Sequence, residues 1–423
     1  MWGGVVKYIF LLSCIYILVS TALYATINQE YSRALYDNWK KTKMEAIKED
    51  SKRINSSVGE TSIKNPFGFE IIDMHFHANN FGGKWTPLSK IVDMTQGIAE
   101  KIMLMPINLY SINDHRISGV VDDPSYYLKS KTRRLNPDFS VDYKLMLEYL
   151  KAPQKIRNKF YLFLNGFEPM DLNAVETLKN NLVYFKGLPI VGIGEVNGGA
   201  KELVDLQTRN QPSLNNLSWD FILNFAEETG LLVMLHNDID TILPSGKRPA
   251  YLDKFINLAN RYPNATIILP HFGGAKRLGI TDEKKRIYHM KNSHLRWMEE
   301  ILVHTNNVYI DTSWDTVANW FIKDDEIIQK TVVLIEKYSN RFLLGSDIVT
   351  PSGVLTKQRY ASNIFAANPI YEKLSEKALK NIGKNNALRI LNRARQKVED
   401  WRKQYYRENI NVSTIQDIVD FSE

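Results

Sequence analysis

Phe69-Glu70-Ile71-Ile72-Asp73-Met74-His75-Phe76-His77 is the stretch on which the fold turns. A short apolar run ends in two histidines at i and i+2, and the period of two along a strand puts both imidazoles on one face at the strand's end. That is the geometry of metal ligands. With 8 histidines in 423 residues, a His-x-His pair arises by chance about 0.15 times in such a chain. The pair therefore takes its meaning from the rest of the chain.

Downstream, short apolar runs alternate with stretches of helical spacing. The runs are Phe69–His75, Lys101–Pro106, Phe160–Leu164, Ile190–Gly194, Leu231–His236, Thr266–Pro270, Val308–Asp311 and Phe342–Ser346. Between them lie Leu88–Glu100, Val141–Leu150, Trp219–Thr229, Tyr251–Asn260, Leu295–His304 and Ile327–Tyr338, and Gly230 reads as a helix C-cap. Repeated βα units imply a parallel sheet, and eight of them over this length predict an α/β protein with a (β/α)8 TIM barrel. A doubly wound open sheet is the alternative. No Gly-x-Gly-x-x-Gly fingerprint opens a helix, since Gly192-Ile193-Gly194 is followed by Glu195. A basic helical region over Tyr371–Gln396 is expected to pack on the barrel's outer wall.

The expected organisation is a signal peptide or signal anchor over 1–28, a polar helix and linker over 29–66, the barrel over 67–392 and a helical tail over 393–423. Tyr8–Ile27 carries no charge and is long enough to span a bilayer. Ser20-Thr21-Ala22 suits signal-peptidase cleavage, and Leu11-Leu12-Ser13-Cys14 resembles a lipobox. The body is expected to be exported or membrane-anchored on the extracytoplasmic side. Arg33, Lys40, Lys41 and Lys43 after the span argue the other way by the positive-inside rule. Cys14 is the one cysteine, so the body has neither disulfides nor thiolate ligands, and histidines and carboxylates are its strong metal donors. A net charge of +7 favours anionic substrates or surfaces. No nucleic-acid-binding motif accompanies it, and nucleic acid is not an expected partner. Oligomeric state is not readable.

In a barrel, functional groups sit at the C-terminal ends of the strands. There the sequence places His75 and His77 on run one, Glu195 after run four, His236 after run five, His271 after run six and Asp347 after run eight. Each alone has an ordinary explanation, as a hydrogen-bonded loop histidine or a helix-capping aspartate. Their convergence on one rim is hard to obtain from packing, because burying His and Asp without partners is costly.

The order His-x-His, Glu, His, His, Asp resembles the amidohydrolase superfamily. The wording is closest to its amidohydrolase-related branch of hydrolases and decarboxylases: Asp73-Met74-His75-Phe76-His77, Pro270-His271-Phe272-Gly273-Gly274 and Leu344-Gly345-Ser346-Asp347. The resemblance implies that His75, His77 and His236 bind a divalent metal and that Asp347 is a ligand, a proton acceptor or both. His271 would ligate a second metal or act on the substrate. Glu195 stands where two-metal members carry a bridging group. One Zn2+ is expected, with a second divalent metal open.

The implied activity is hydrolysis of an amide, ester or lactone of a small molecule by a zinc-activated water, and the chain's basic charge leaves an anionic substrate open. The alternatives are a non-oxidative decarboxylase of an aromatic acid, a two-metal phosphodiesterase and a membrane-tethered barrel without turnover. Basic residues in the loops, among them Arg116, Arg134, Lys247, Arg248, Lys276 and Arg277, would meet a carboxylate or phosphate if they point inward. Trp314, Trp320 and Tyr110 are candidates for an aromatic wall.

Overall fold

The computed structural model describes residues 65–79, 85–111, 135–137, 140–197, 214–237, 239, 248–274, 284–349 and 356–409. Each apolar run forms a strand: β1 (Ile71–His77), β2 (Ala99–Met105), β3 (Phe160–Leu164), β4 (Ile190–Asn197), β5 (Leu232–His236), β6 (Thr266–Leu269), β7 (Val308–Asp311) and β8. β8 has two pieces, Phe342–Leu343 and Ile348–Val349. Neighbours pair in parallel in chain order from β1 to β7. The first piece of β8 pairs with β7 and the second with β1. Met74 N–H donates to Leu344 C=O and Asp347 N–H to His75 C=O, at 2.9 and 2.8 Å. The parallel sheet thus curls back on itself, TIM-barrel-like, and no open doubly wound sheet is present among the described residues.

Two cores follow from this closure. Ile72, Met74, Met103, Phe163, Met234 and Ile268 fill the interior, while Ile71, Phe76, Ile102, Leu162 and Ile267 pack outward against the helices. Those helices include α1 (Leu88–Thr95), α2 (Val141–Lys151), α3 (Ala174–Tyr184), α4 (Leu217–Thr229), α5 (Ala250–Arg261), α6 (Lys284–His304) and α7 (Asp325–Lys337). Expected and observed helices differ at several places, among them the start of α6, at Lys284 rather than Leu295. Ala99 and Glu100 belong to β2, because Gly97 at φ 74° ends the preceding turn. Helix α3 was not among those expected. Gly230 caps α4 as expected, at φ 78°, a conformation that costs a residue with a Cβ about 1 kcal/mol or more.

The C-terminal helix α8 (Asn386–Asn409) corrects the expectation of an outer-wall packing. Its residues Ala387, Ile390, Leu391 and Ala394 join the interior cluster, against Ile72, Tyr161, Leu232 and Tyr309 near the strands' N-terminal ends. The helix therefore plugs the barrel's lower mouth, opposite the rim that bears the histidines. It runs unbroken past the expected boundary at 392/393. Farther on, the buried Arg402 guanidinium donates to the carbonyls of Leu182, Phe185 and Leu188 in and beyond the last turn of α3.

Among the described residues no helix is long and apolar enough to cross a membrane, and Tyr8–Ile27 lies outside them.

Asp142, buried on α2, ties the loop after β3 to α2 and α3. Its carboxylate accepts from the backbone N–H of Asn165 and Gly166 and from Asn181, at 2.7 to 2.9 Å. Burial outweighs these donors and raises its pKa from 3.8 to about 6. A folded-state value above the unfolded one stabilises the fold fully below about pH 4, and that contribution is lost as pH rises through about 6. Asp142→Asn should remove this dependence. The change in unfolding free energy between about pH 5 and pH 8 should be smaller in the variant by about 1–2 kcal/mol, read by urea denaturation at both pH values.

Candidate metal centre

Two local irregularities aim the site. Regular alternation would turn Phe76, the successor of Ile72 and Met74, into the barrel. The β1–β2 register shifts between Asp73 and Phe76, so that Phe76 packs outward while His75 and His77 face the mouth. The β4–β5 register shifts likewise between Ile193 and Val196, around Glu195. Bulges of this kind re-aim side chains at functional rims.

His75 and His77 bring their Nε2 atoms to 3.1 Å of one another. Asp347 Oδ1 lies 3.4 and 3.2 Å from these two nitrogens, and Glu195 Oε2 lies 3.5 Å from each. Four ligands at roughly 2.0–2.1 Å around a tetrahedral ion stand about 3.3–3.4 Å apart. Five of the six spacings among His75, His77, Glu195 and Asp347 bracket that edge and the sixth is within 4.8 Å, and two imidazoles with two carboxylates make a donor set suited to zinc. These residues fit a divalent cation.

Glu195's other oxygen belongs to a second group. His236 Nδ1 lies 2.5 Å and His271 Nε2 2.9 Å from Oε1. These are hydrogen-bond spacings, closer than a coordination shell, so a cation held by Glu195, His236 and His271 would have to spread them. All six expected residues thus converge on one mouth, in a different grouping from the expected one. His236 stands with His271 rather than with His75 and His77, and Glu195 joins the two groups.

The electrostatics follow from burial. Desolvation opposes protonation of His75, but Asp347, Glu195 and Asp311 outweigh it and hold its pKa well above the ordinary histidine range. His77 is raised by Asp347 and Glu195 against the same burial. Glu195, although buried, is held well below the usual carboxylate range by His236, His271 and His75. Asp347 is lowered by His271 and His75 in the same way. The centre is therefore built to pair anionic oxygens with positive charge.

Backbone strain gathers here too. Among the described residues, the non-glycine residues at positive φ are His271, Phe272, Trp314 and Asp347. Each costs of order 1 kcal/mol or more and persists only when its surroundings impose it. His294, buried on α6, donates from Nε2 to the Phe272 carbonyl at 2.6 Å, and Gly273 N–H donates to Pro270. Trp314 stands edge-on to His271 at 5.2 Å, with Trp320 behind it at 6.4 Å, and both pack against the hydrophobic core. Arg248 instead pairs with Asp253 and Glu300 on the surface. The other basic loop residues and the side chain of Tyr110 lie outside the described part.

Sequence reading missed the layer behind the histidines. Asp73, wholly buried, accepts from His75 N–H, from both Ser346 donors and from Tyr360 Oη, binding β1 to β8. At the end of β7, Asp311 Oδ2 accepts from His75 Nδ1 at 2.8 Å and from Ser313 Oγ at 2.6 Å. The signal for Asp311 was its place at the end of the seventh run, the same rule that found the others. Gly345 completes this wall, because a Cβ there would come within 2.6 Å of both Asp311 Oδ1 and His75 Cβ.

Comparison with known proteins bears on the same features. Residues 197–393 match the amidohydrolase family model, a stretch that includes His236, His271 and Asp347 and leaves His75, His77 and Glu195 before it. No curated protein matches the chain. Among solved structures, an amidohydrolase from Burkholderia multivorans with bound zinc is similar at 10% identity and a TM-score of 0.47, over 76% of this chain and 99% of that one. 4-Oxalomesaconate hydratase from Rhodopseudomonas palustris is similar at 15% identity and a TM-score of 0.43, over 79% and 99%. Dihydroorotase from Campylobacter jejuni gives 13% identity and a TM-score of 0.43, over 76% and 83%. Over residues 197–393 the chain is similar to the amidohydrolase family, the same family that its strand-end motifs resemble.

Proposed function

We propose that the protein is a metal-dependent hydrolase that attacks an amide, ester or lactone of a small molecule with water. One observation carries the reading: His75, His77, Glu195 and Asp347 present four donor atoms at the spacing of a tetrahedral shell. These residues would hold one zinc. Glu195, His236 and His271 would hold a second cation on spreading apart. A divalent cation bound there supplies Lewis acidity, which brings the pKa of a water toward about 7 and polarises a carbonyl.

The chain's own groups do the rest. Asp347, whose Oδ1 lies 3.4 and 3.2 Å from His75 and His77 Nε2, accepts the attacking water's proton and returns it to the leaving group. His271 faces the same space, its Nδ1 3.7 Å from Asp347 Oδ2, where it would hold the second cation. Trp314 shields that side of the mouth from water. The N-terminal reading joins the proposal: Tyr8–Ile27 serves as a signal or membrane anchor that places the barrel outside the cytoplasm, which fractionation of cells carrying the full chain would check.

The test is metal removal on the purified full chain with a panel of acyl anilides, aryl esters and lactones. Hydrolysis should fall at least about a hundredfold on chelation and return with added zinc. Hydrolysis indifferent to chelation would overturn the assignment. Release of CO2 from an aromatic acid without any hydrolytic product would replace it with the decarboxylase reading.

A further inference from the structure

We propose that Asp311 and Ser313 form one positioning unit shared by the two histidine groups, fixing which nitrogen of His75 and of His271 is left free for a cation. This rests on the metal reading of the same mouth. Ser313 Oγ lies 2.6 Å from Asp311 Oδ2, 3.0 Å from His271 Nδ1 and 3.2 Å from His75 Nδ1. All four side chains are buried. Asp311 Oδ1 is taken up by the Ser313 backbone N–H at 2.9 Å.

The count of hydrogens settles the arrangement. A serine hydroxyl has one hydrogen, and an ionised carboxylate can only accept. At 2.6 Å the Ser313 hydrogen goes to Asp311 Oδ2, leaving Oγ lone pairs for its other neighbours. The 3.0 Å contact with His271 is then a hydrogen bond only if His271 Nδ1 carries the hydrogen. His75 Nδ1 likewise donates to Asp311. In the neutral imidazoles that a cation requires, both Nε2 atoms are therefore bare acceptors.

Those bare atoms face carboxylate oxygens. His75 Nε2 looks toward Asp347 Oδ1 and Glu195 Oε2, and His271 Nε2 toward Glu195 Oε1. Such a face needs a cation, or else additional protons, between its members. One carboxylate and one hydroxyl on β7 and its loop thus prepare a ligand in each group. Gly345 keeps the unit in place, since a Cβ there would strike Asp311, His75 and Ser313.

Asp311→Asn tests this with nearly the same shape. Its amide must donate where the carboxylate accepted, which forces the hydrogen of His75 onto Nε2. Zinc affinity of the full chain, measured by chelator competition, should fall about 10- to 100-fold. Ser313→Ala is the second variant, read by imidazole 1H–15N correlations of the zinc-loaded chain. Wild type should show protected Nδ1–H signals for both His75 and His271, and Ser313→Ala should lose that of His271 while keeping that of His75. Zinc bound equally by wild type and Asp311→Asn, or an unchanged His271 signal in Ser313→Ala, would overturn the inference and leave the metal reading intact. A wild type that takes up no zinc would instead sink the metal reading itself.

Discussion

His75→Ala/His77→Ala should leave the purified full chain with less than about a tenth of the zinc that wild type retains through dialysis, and with no hydrolysis above background. The double variant keeps only the carboxylates of Glu195 and Asp347 from the first group. If an outer partner of a ligand is worth about 10- to 100-fold in affinity, two direct ligands are worth at least about 10^4-fold. The barrel should survive, because both side chains point into the mouth and the wall is formed by Ile71, Ile72, Met74 and Phe76. Elemental analysis beside circular dichroism separates metal loss from unfolding. Equal metal in the two folded proteins would end the claim that this pair binds it.

The pair was readable because strand alternation is a local property. Two residues apart means the same face whichever way the strand is turned. Glu195, His236, His271 and Asp347 were readable for a related reason, since each ends an apolar run and parallel barrels put all such ends on one rim. What stayed hidden depends on contacts between strands. Nothing near His236 states that it lies beside His271 and Glu195 rather than beside His75, because that proximity is set by neighbouring strands β4, β5 and β6. The register shifts at Asp73–Phe76 and Ile193–Val196 arise from pairing and leave no mark on composition. Asp311 resembled the end of an ordinary buried strand, and its role appears only with His75 placed 2.8 Å away, 236 positions earlier in the chain. The final helix misled in the same way. Its apolar face was evident, but the barrel's lower mouth and the outer wall ask for the same pattern.

Asp347→Asn should lower kcat by about 10^2- to 10^4-fold, the usual weight of a positioned acid–base group, while KM stays within about threefold. The substitution is chosen for the backbone as much as for the charge. Asp347 sits at φ 51°, a region that asparagine tolerates far better than alanine does. Its N–H bond to the His75 carbonyl, which helps close β8 on β1, does not involve the side chain. The asparagine oxygen can still face His75 and His77 in place of Oδ1, so zinc should be retained, at reduced affinity. What disappears is the proton acceptor, and with it the fall in activity toward acid pH that protonation of this carboxylate produces in wild type. A variant within about fivefold of wild-type kcat, with the acid limb of its pH profile unchanged, would remove Asp347 from proton transfer and leave it a ligand alone. The base would then have to be sought at His271, the other group of the mouth that faces Asp347, at 3.7 Å from Oδ2.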